Sequence, residues 1–359
     1  MKTSCKIRHW GVAIAASLIG AIALGCGSGP VNTPQAVSPG VASTKPEQGT
    51  EVIRCIFPFW FGFAPVHVAS ELGYFAEEGL EVITVFDNDR ANVMPAMDRG
   101  DIECTMRTIG EYMTRPRTVN TQGTIIGTID VSVGADGVVA APGINSVEDL
   151  VGKVFAGEIN HPGTVMTQYA LSQLGYNINE DLDVRLISTD DSSAVFEDPE
   201  VAAVATWEPM MSSIVENTSK QGAKILLSSK DFNGLITDVI IVHTGDLQAD
   251  PEKYRKFLRG IYRAIDLYES DPEQFLAVAA PYFDVTPEAM AVDLEGVQYT
   301  SYDAALAFMG TPATPGKLSQ VFRDLNKINL QLDLQDEALE YSNHVDVTLI
   351  QGLFDHQSR

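Results

Sequence analysis

The chain has 359 residues, with 48 Asp and Glu against 24 Lys and Arg and a formal net charge of −24 at pH 7. Such an acid excess excludes a basic nucleic-acid-binding surface and suits a soluble monomer, though a salty habitat alone would account for it. Four cysteines are present with no CxxC, no HExxH and no Cys/His cluster, so neither a metal site nor a cofactor is expected.

Lys2, Lys6 and Arg8 give a positive start, residues 10–23 are uncharged and mostly apolar, and Ala23-Leu24-Gly25-Cys26 closes the run. That is the layout of an export signal, and the apolar stretch is shorter than the roughly 20 residues a membrane-spanning helix needs. A cysteine directly after a small residue resembles the lipobox of bacterial lipoproteins, although Ala23 and Leu24 stand where Leu and a small residue are usual. The resemblance implies a signal peptide over 1–25 and a lipid on Cys26; an ordinary secretory signal with a chance cysteine is the alternative. Residues 26–50 are rich in Gly, Pro, Ser and Thr and cannot bury enough surface to order themselves, which predicts a flexible tether of roughly 27 Å root-mean-square span. All 48 acids and 21 of the 24 basic residues lie beyond the signal, leaving −27 on the remainder.

The body from Glu51 is long enough for two domains of about 100–200 residues. Val52 to Phe57 predicts a buried strand, and Pro65 opens a helix stopped by Gly73. A strand over Leu80–Phe86, a helix over Ala91–Arg99 and strands over Ile102–Thr108 and Thr124–Asp130 follow. A second series has strands at Val138–Ala141, Val154–Ala156, Val184–Ser188, Val201–Thr206, Ile225–Leu227 and Val239–Val242. Among them lie a short helix capped by Ser146, a helix from Gly163-Thr164 to Leu174 and another from Pro209. Helices at Pro251–Tyr268, Pro272–Pro281, Pro287–Leu294 and Gly316–Asn329 complete the chain. Alternating strands and helices predict an α/β fold with parallel, doubly wound sheets.

Seven landmarks occur in order: Ala69-Ser70-Glu71-Leu72-Gly73-Tyr74-Phe75 running on to Val82, then Met97-Asp98-Arg99-Gly100-Asp101-Ile102, Gly134-Ala135-Asp136-Gly137, Ser146 to Lys153, Leu171 to Gly175, Ala205-Thr206-Trp207-Glu208-Pro209 and Gly234 to Asp238. Together they resemble the periplasmic substrate-binding proteins of ABC importers of the nitrate/taurine/aliphatic-sulfonate type, which also includes thiamine-pyrimidine-binding relatives. The resemblance implies a type II clamshell of two lobes, each a mainly parallel sheet flanked by helices. Lobe 1 is expected over 51–135 and 240–345, lobe 2 over 136–239, and a C-terminal tail over 346–359. The first crossing falls near Gly134 to Gly137 and the return near Asp238 to Thr244. It also implies a small-molecule ligand, a membrane permease as partner and, since the chain has no GxxxxGK[ST] loop, an ATPase on a separate polypeptide.

Ligands of open α/β sheets lie beyond the carboxyl ends of strands, which directs attention to residues there. Phe59-Trp60-Phe61 follows the first strand, and neighbours that alternate faces cannot all point inward. Thr164 opens a helix whose free N–H groups attract anionic or carbonyl groups, and His161 before it is either a ligand donor or a solvated turn residue. Trp207 offers a flat wall; Glu208 offers a carboxylate, or caps the next helix. Asp130, Asp136 and Asp238 bring further acids with no Arg or Lys evident nearby, which favours a small nitrogen-containing, cationic solute of the guanidine or aminopyrimidine kind. Two alternatives stand beside it: an oxyanion such as nitrate, bicarbonate or a sulfonate, and an enzyme like the thiamine-pyrimidine synthase, whose cysteine cluster this chain lacks. A sensor subunit that signals without transport is a third. The family places the strands of Cys55 and Cys104 side by side, so a disulfide is feasible, with two buried thiols as the other reading.

Overall fold

The computed structural model describes residues 50–354 except 88–91, 116–122, 159, 233 and 332–333. The signal, the tether and Cys26 lie outside the described residues. In chain order the strands are β1 Glu51–Phe57, β2 Leu80–Phe86, β3 Cys104–Thr108, β4 Thr124–Ser132, β5 Asp136–Ala140, β6 Val154–Gly157, β7 Asp183–Leu186, β8 Val201–Trp207, β9 Lys224–Ser228, β10 Thr237–Val242 and β11 Val297–Tyr299. They build a six-stranded sheet in the order β11-β4-β10-β3-β1-β2 and a five-stranded sheet in the order β7-β6-β8-β5-β9.

Each sheet contains a parallel trio, β2-β1-β3 and β7-β6-β8. Beside each trio lies one strand of opposite direction: β10 pairs antiparallel with β3 and β4, and β5 with β8 and β9. The sheets are therefore mixed, where alternation of strands and helices alone predicts parallel ones. The reason is that β5 and β10 come across from the other sheet through short segments, with no helical crossover to turn the chain back.

Those crossings lie against each other. Ser132 and Ser229 share a hydrogen bond between their hydroxyls at 2.8 Å, and Ser229 Oγ accepts the Gly134 N–H at 2.8 Å. Ser132 N–H donates to Ile236 O at 3.0 Å. The return crossing comes earlier than Asp238, because Thr237 and Asp238 already pair with Val131 and Asp130 in the first sheet. The apolar run Val239–Val242 marks only the interior of that strand, whereas its polar start pairs as well. Residues 346–354 are no separate tail: Val345 pairs with Ile125, and Val347, Leu349, Ile350 and Leu353 are buried in the first lobe's core. β11 and the helix Tyr302–Met309 fall where the sequence pattern shows only helix in outline, since three residues are too few for strand alternation to register.

Side-chain alternation explains why both faces of the second sheet are covered. Val138 and Phe155 enter one core cluster, and their neighbours Val139 and Ala156 enter the other. In the first lobe, the helix Pro251–Ser270 buries Tyr254, Phe257, Leu258, Ile261, Tyr262 and Ile265, the 3-and-4 spacing of one apolar stripe. Tyr262 OH donates to Thr128 O on β4 at 3.0 Å. The lobes touch through Val165 of the helix Pro162–Gln173, which meets Gly110 and shares the first lobe's core with Leu325.

Cys55 and Cys104 are direct partners on β1 and β3, with Cα atoms 4.5 Å apart and the geometry of a disulfide. The link spans 49 residues, and closing a loop of that length removes about 4 kcal/mol of unfolded-state freedom. Cys55→Ser with Cys104→Ser is expected to lower the unfolding free energy by up to about 4 kcal/mol, measured by denaturant unfolding. Non-reducing peptide mapping of the native chain should recover the 55–104 cross-link; two free thiols would count against it.

Candidate functional site

A cleft of about 380 Å³ lies between the lobes, lined by Phe59, Trp60, Phe61 and Phe86 from the first and by Asp190, Trp207, Glu208 and Met210 from the second. The expectation that the three consecutive aromatics cannot all face inward does not hold. The strand and its alternation end at Phe57, a 3-10 turn starts at Phe61, and all three line the cleft, anchored differently. Phe59 and Phe61 pack on Phe283, with ring centroids 5.1 and 4.9 Å away. Trp60 instead sends its Nε1–H to Asp130 Oδ1 at 3.3 Å. Gly62 allows this: a Cβ there would sit 2.2 Å from both Asp130 Oδ2 and Trp60 Nε1.

On the opposite wall, Trp207 stacks on His161 with centroids 5.0 Å apart and planes at 20°. His161 is fully buried, and its Nδ1 accepts the Gly163 N–H at 2.9 Å. That bond assigns the proton of a neutral ring to Nε2. The solvated-turn reading of His161 does not hold; Pro162 and the helix it starts bring the ring inward. Thr164 follows in the first turn, buried, with Oγ1 lacking a hydrogen-bond partner among the described residues. Glu208 serves both expected ends at once. Its carboxylate accepts from Ser212 N–H at 3.0 Å and Ser212 O–H at 2.9 Å, capping the next helix, while it still lines the cleft.

Asp130, Asp136 and Asp238 lie beneath the cleft floor rather than in its wall, each under 5% exposed. Asp130 and Asp238 are direct cross-strand partners on β4 and β10, so their carboxyls share one face. Burial pushes Asp130 up to about 7, aided by the Asp136 charge and opposed by hydrogen bonds from Trp60 and Asp238. Burial likewise holds Asp238 well above the usual carboxylate range, reinforced by the charges of Asp130, Asp136 and Glu111. Asp238 thus keeps its proton longest and bonds Asp130 through it, since two adjacent buried carboxyls do not both ionise.

Glu111 and its two cations were not anticipated; the arginines pair Glu111, and the groups that shift Asp130 and Asp238 do not include them. Arg107 and Arg115 both donate to Glu111 Oε1 at 2.7 Å, and Arg107 and Glu111 are almost fully buried. The signal was legible: Arg107, Glu111 and Arg115 stand at i, i+4 spacing, and Thr108 caps the helix by accepting the Glu111 N–H at 3.1 Å. Asp190 lies in the 3-10 turn Thr189–Asp191; its place just after the predicted strand Val184–Ser188 was the available signal, and it was missed. Among the described residues no group of three or more His, Cys, Asp or Glu could hold a metal ion.

Two α/β lobes joined by paired crossings, with a cleft between them, make the type II periplasmic-binding-protein fold. Residues 60–275 match the NMT1/THI5 like family, and the chain belongs to that family. It is 24% identical over 292 residues, covering 79% of this chain and 88% of the relative, to a Brucella abortus (strain 2308) protein named "Putative binding protein". Its fold is similar to that of the alkanesulfonate-binding protein SsuA of Xanthomonas axonopodis pv. citri bound to MOPS (TM-score 0.63, 14% identity, 82% of this chain and 98% of that one). It is similar also to the periplasmic nitrate-binding protein NrtA of Synechocystis PCC 6803 (TM-score 0.62, 13% identity, 85% and 88%). The desulfurization enzyme DSZB shares the architecture too (TM-score 0.57, 12% identity, 84% and 98%).

The arrangement of Gly62, Trp60, Asp130 and Asp238 makes three outcomes expected. Unfolded Asp titrates near 3.9, so the folded chain holds these protons to higher pH, and stability falls as pH rises above about 4, with the Asp130 contribution lost through about 7 and that of Asp238 lost later. Asp238→Asn, which keeps a donor opposite Asp130, is expected to raise the melting temperature at about pH 8 and to flatten that slope, as scanning calorimetry across pH will measure. Gly62→Ala is expected to cost about 1–3 kcal/mol by forcing Trp60 and Asp130 apart, measured by denaturant unfolding.

Proposed function

We propose that this chain is the extracytoplasmic solute receptor of an ABC importer, a monomer anchored by a lipid on Cys26 and tethered by residues 26–50. It captures a small, nitrogen-containing, cationic solute and presents it to a membrane permease driven by a separate ATPase. The observation that carries the reading is the composition of the cleft. Its described lining joins Trp60 and Phe61 of one lobe to Trp207 of the other, adds the carboxyl groups of Asp190 and Glu208, and includes no Lys or Arg. Aromatic faces and carboxylates attract a cation and repel an anion. A solute touching both lobes stabilises their closed arrangement, which a permease can distinguish from the open one.

A second reading has one observation in its favour. The N-terminus of the helix Pro162–Gln173, with the unpartnered Thr164 hydroxyl, suits an oxyanion. Thermal shift with guanidine, urea, aminopyrimidines, taurine, nitrate and bicarbonate separates the two, because a bound ligand raises stability by mass action, about 2.7 kcal/mol at a hundredfold excess over Kd. Guanidine or an aminopyrimidine is expected to respond; a response to nitrate or taurine alone selects the oxyanion, and chemical turnover of any of them selects an enzyme. Trp207→Ala should weaken binding about tenfold, the loss of one aromatic–cation contact of about 1–2 kcal/mol. For the anchor, Cys26→Ser is expected to move the protein from the membrane fraction to the soluble fraction.

A further inference from the structure

We propose that Asp130 is a positioning residue: with Asp238 as its proton-holding partner, it fixes the Trp60 ring as the cleft floor and places a switchable negative charge directly beneath it. Trp60 is the one aromatic of its triplet held by a polar bond, and the acceptor, Asp130 Oδ1, belongs to a carboxyl with no exposure. Asp130 Oδ2 is buried without an N–H or hydroxyl donor among the described residues. It lies directly under Gly62, the residue that lets the aromatic loop descend onto it. The group opposite on β10 is the Asp238 carboxyl, and its proton is the donor that fits.

The surrounding charges leave Asp130 as the group able to change state. Asp136 faces it from β5, and Asp238 carries the proton from β10. Glu111, on the helix Ile109–Thr114, acts on Asp238 and is neutralised by Arg107 and Arg115. Tyr299 on β11, opposite Asp130, commits its hydroxyl to Phe61 O at 2.8 Å and so braces the same loop. When Asp130 is neutral its bond to the indole is an ordinary one. When it ionises the bond becomes charge-assisted, roughly twice as strong, and the floor turns negative. The effect on a cationic solute rests on the function proposed above; the positioning of Trp60 does not.

The test follows the indole N–H of Trp60 by nuclear magnetic resonance. The full chain is labelled with 15N at tryptophan, and the signal is identified by its loss in Trp60→Phe. Between about pH 5 and about pH 9 it is expected to titrate with an inflection near 7. Asp130→Asn should abolish the inflection, and Glu208→Gln should retain it. A signal that does not move, or moves equally in Asp130→Asn, overturns the proposal. Should Asp130→Asn fail to fold, Asp238→Asn must still show the inflection, and its absence there overturns the proposal equally. Guanidinium chloride at millimolar concentration is then titrated at about pH 6 and about pH 8. Binding is expected to be tighter at the higher pH, by at most about tenfold per pH unit, since one proton is linked. Equal affinity at both values overturns the switchable charge. An inflection with no guanidinium binding at either pH removes the cationic reading and leaves the positioning of Trp60 upheld.

Discussion

Neither sheet is complete without a strand that the chain carries over from the other lobe. β10 fills the place between β3 and β4, and β5 fills the place between β8 and β9. Every residue of both strands is buried, so removing either would split a core rather than trim an edge. The two lobes are therefore interlocked through their crossing strands. The same constraint gathers the acids. Asp136 and Asp238 lie at or next to the start of the two transferred strands, and Asp130 is near the end of the strand that precedes the first crossing. Their convergence follows from the topology, and the aromatic loop Phe59–Phe61 closes over them.

The acids then divide by what satisfies them. An isolated buried carboxylate is costly, and the fold meets that cost in two ways below the floor. Glu111 takes two guanidinium partners, Arg107 and Arg115. Among the described residues no such cation meets Asp130 or Asp238, and a retained proton relieves them. Asp190 and Glu208, facing the cleft, need neither device because water or a solute reaches them. A net charge of −24 thus conceals two populations of acid with different chemistry.

Most strand positions were legible in the sequence. Short, mostly apolar runs such as Leu80–Phe86, preceded by Gly79, and Val201–Thr206 each became a strand at nearly those limits. Trp60, Trp207 and Glu208 were legible as candidates because they follow strands, and the cleft collects them. The direction of β5 and β10 was not legible, since an apolar run reads the same in either sense. Nor was the depth of Asp130, Asp136 and Asp238: strand-end position says that a residue is near the cleft, not which side of the aromatic loop it occupies. Residues 346–354 contain Val347, Leu349 and Ile350, and their apolar spacing was a sign of docking that position near the terminus obscured.

Gly137 and Gly163 carry a mechanical consequence. A Cβ on Gly163 would lie 2.4 Å from the carbonyl oxygen of Gly137, and one on Gly137 would lie 2.4 Å from Met211 Sδ. The start of the helix Pro162–Gln173 is pressed against the start of β5 with no side chain as a spacer. A side chain at Gly163 would wedge the helix off the strand, so these two glycines set how closely helix and sheet stack within the second lobe.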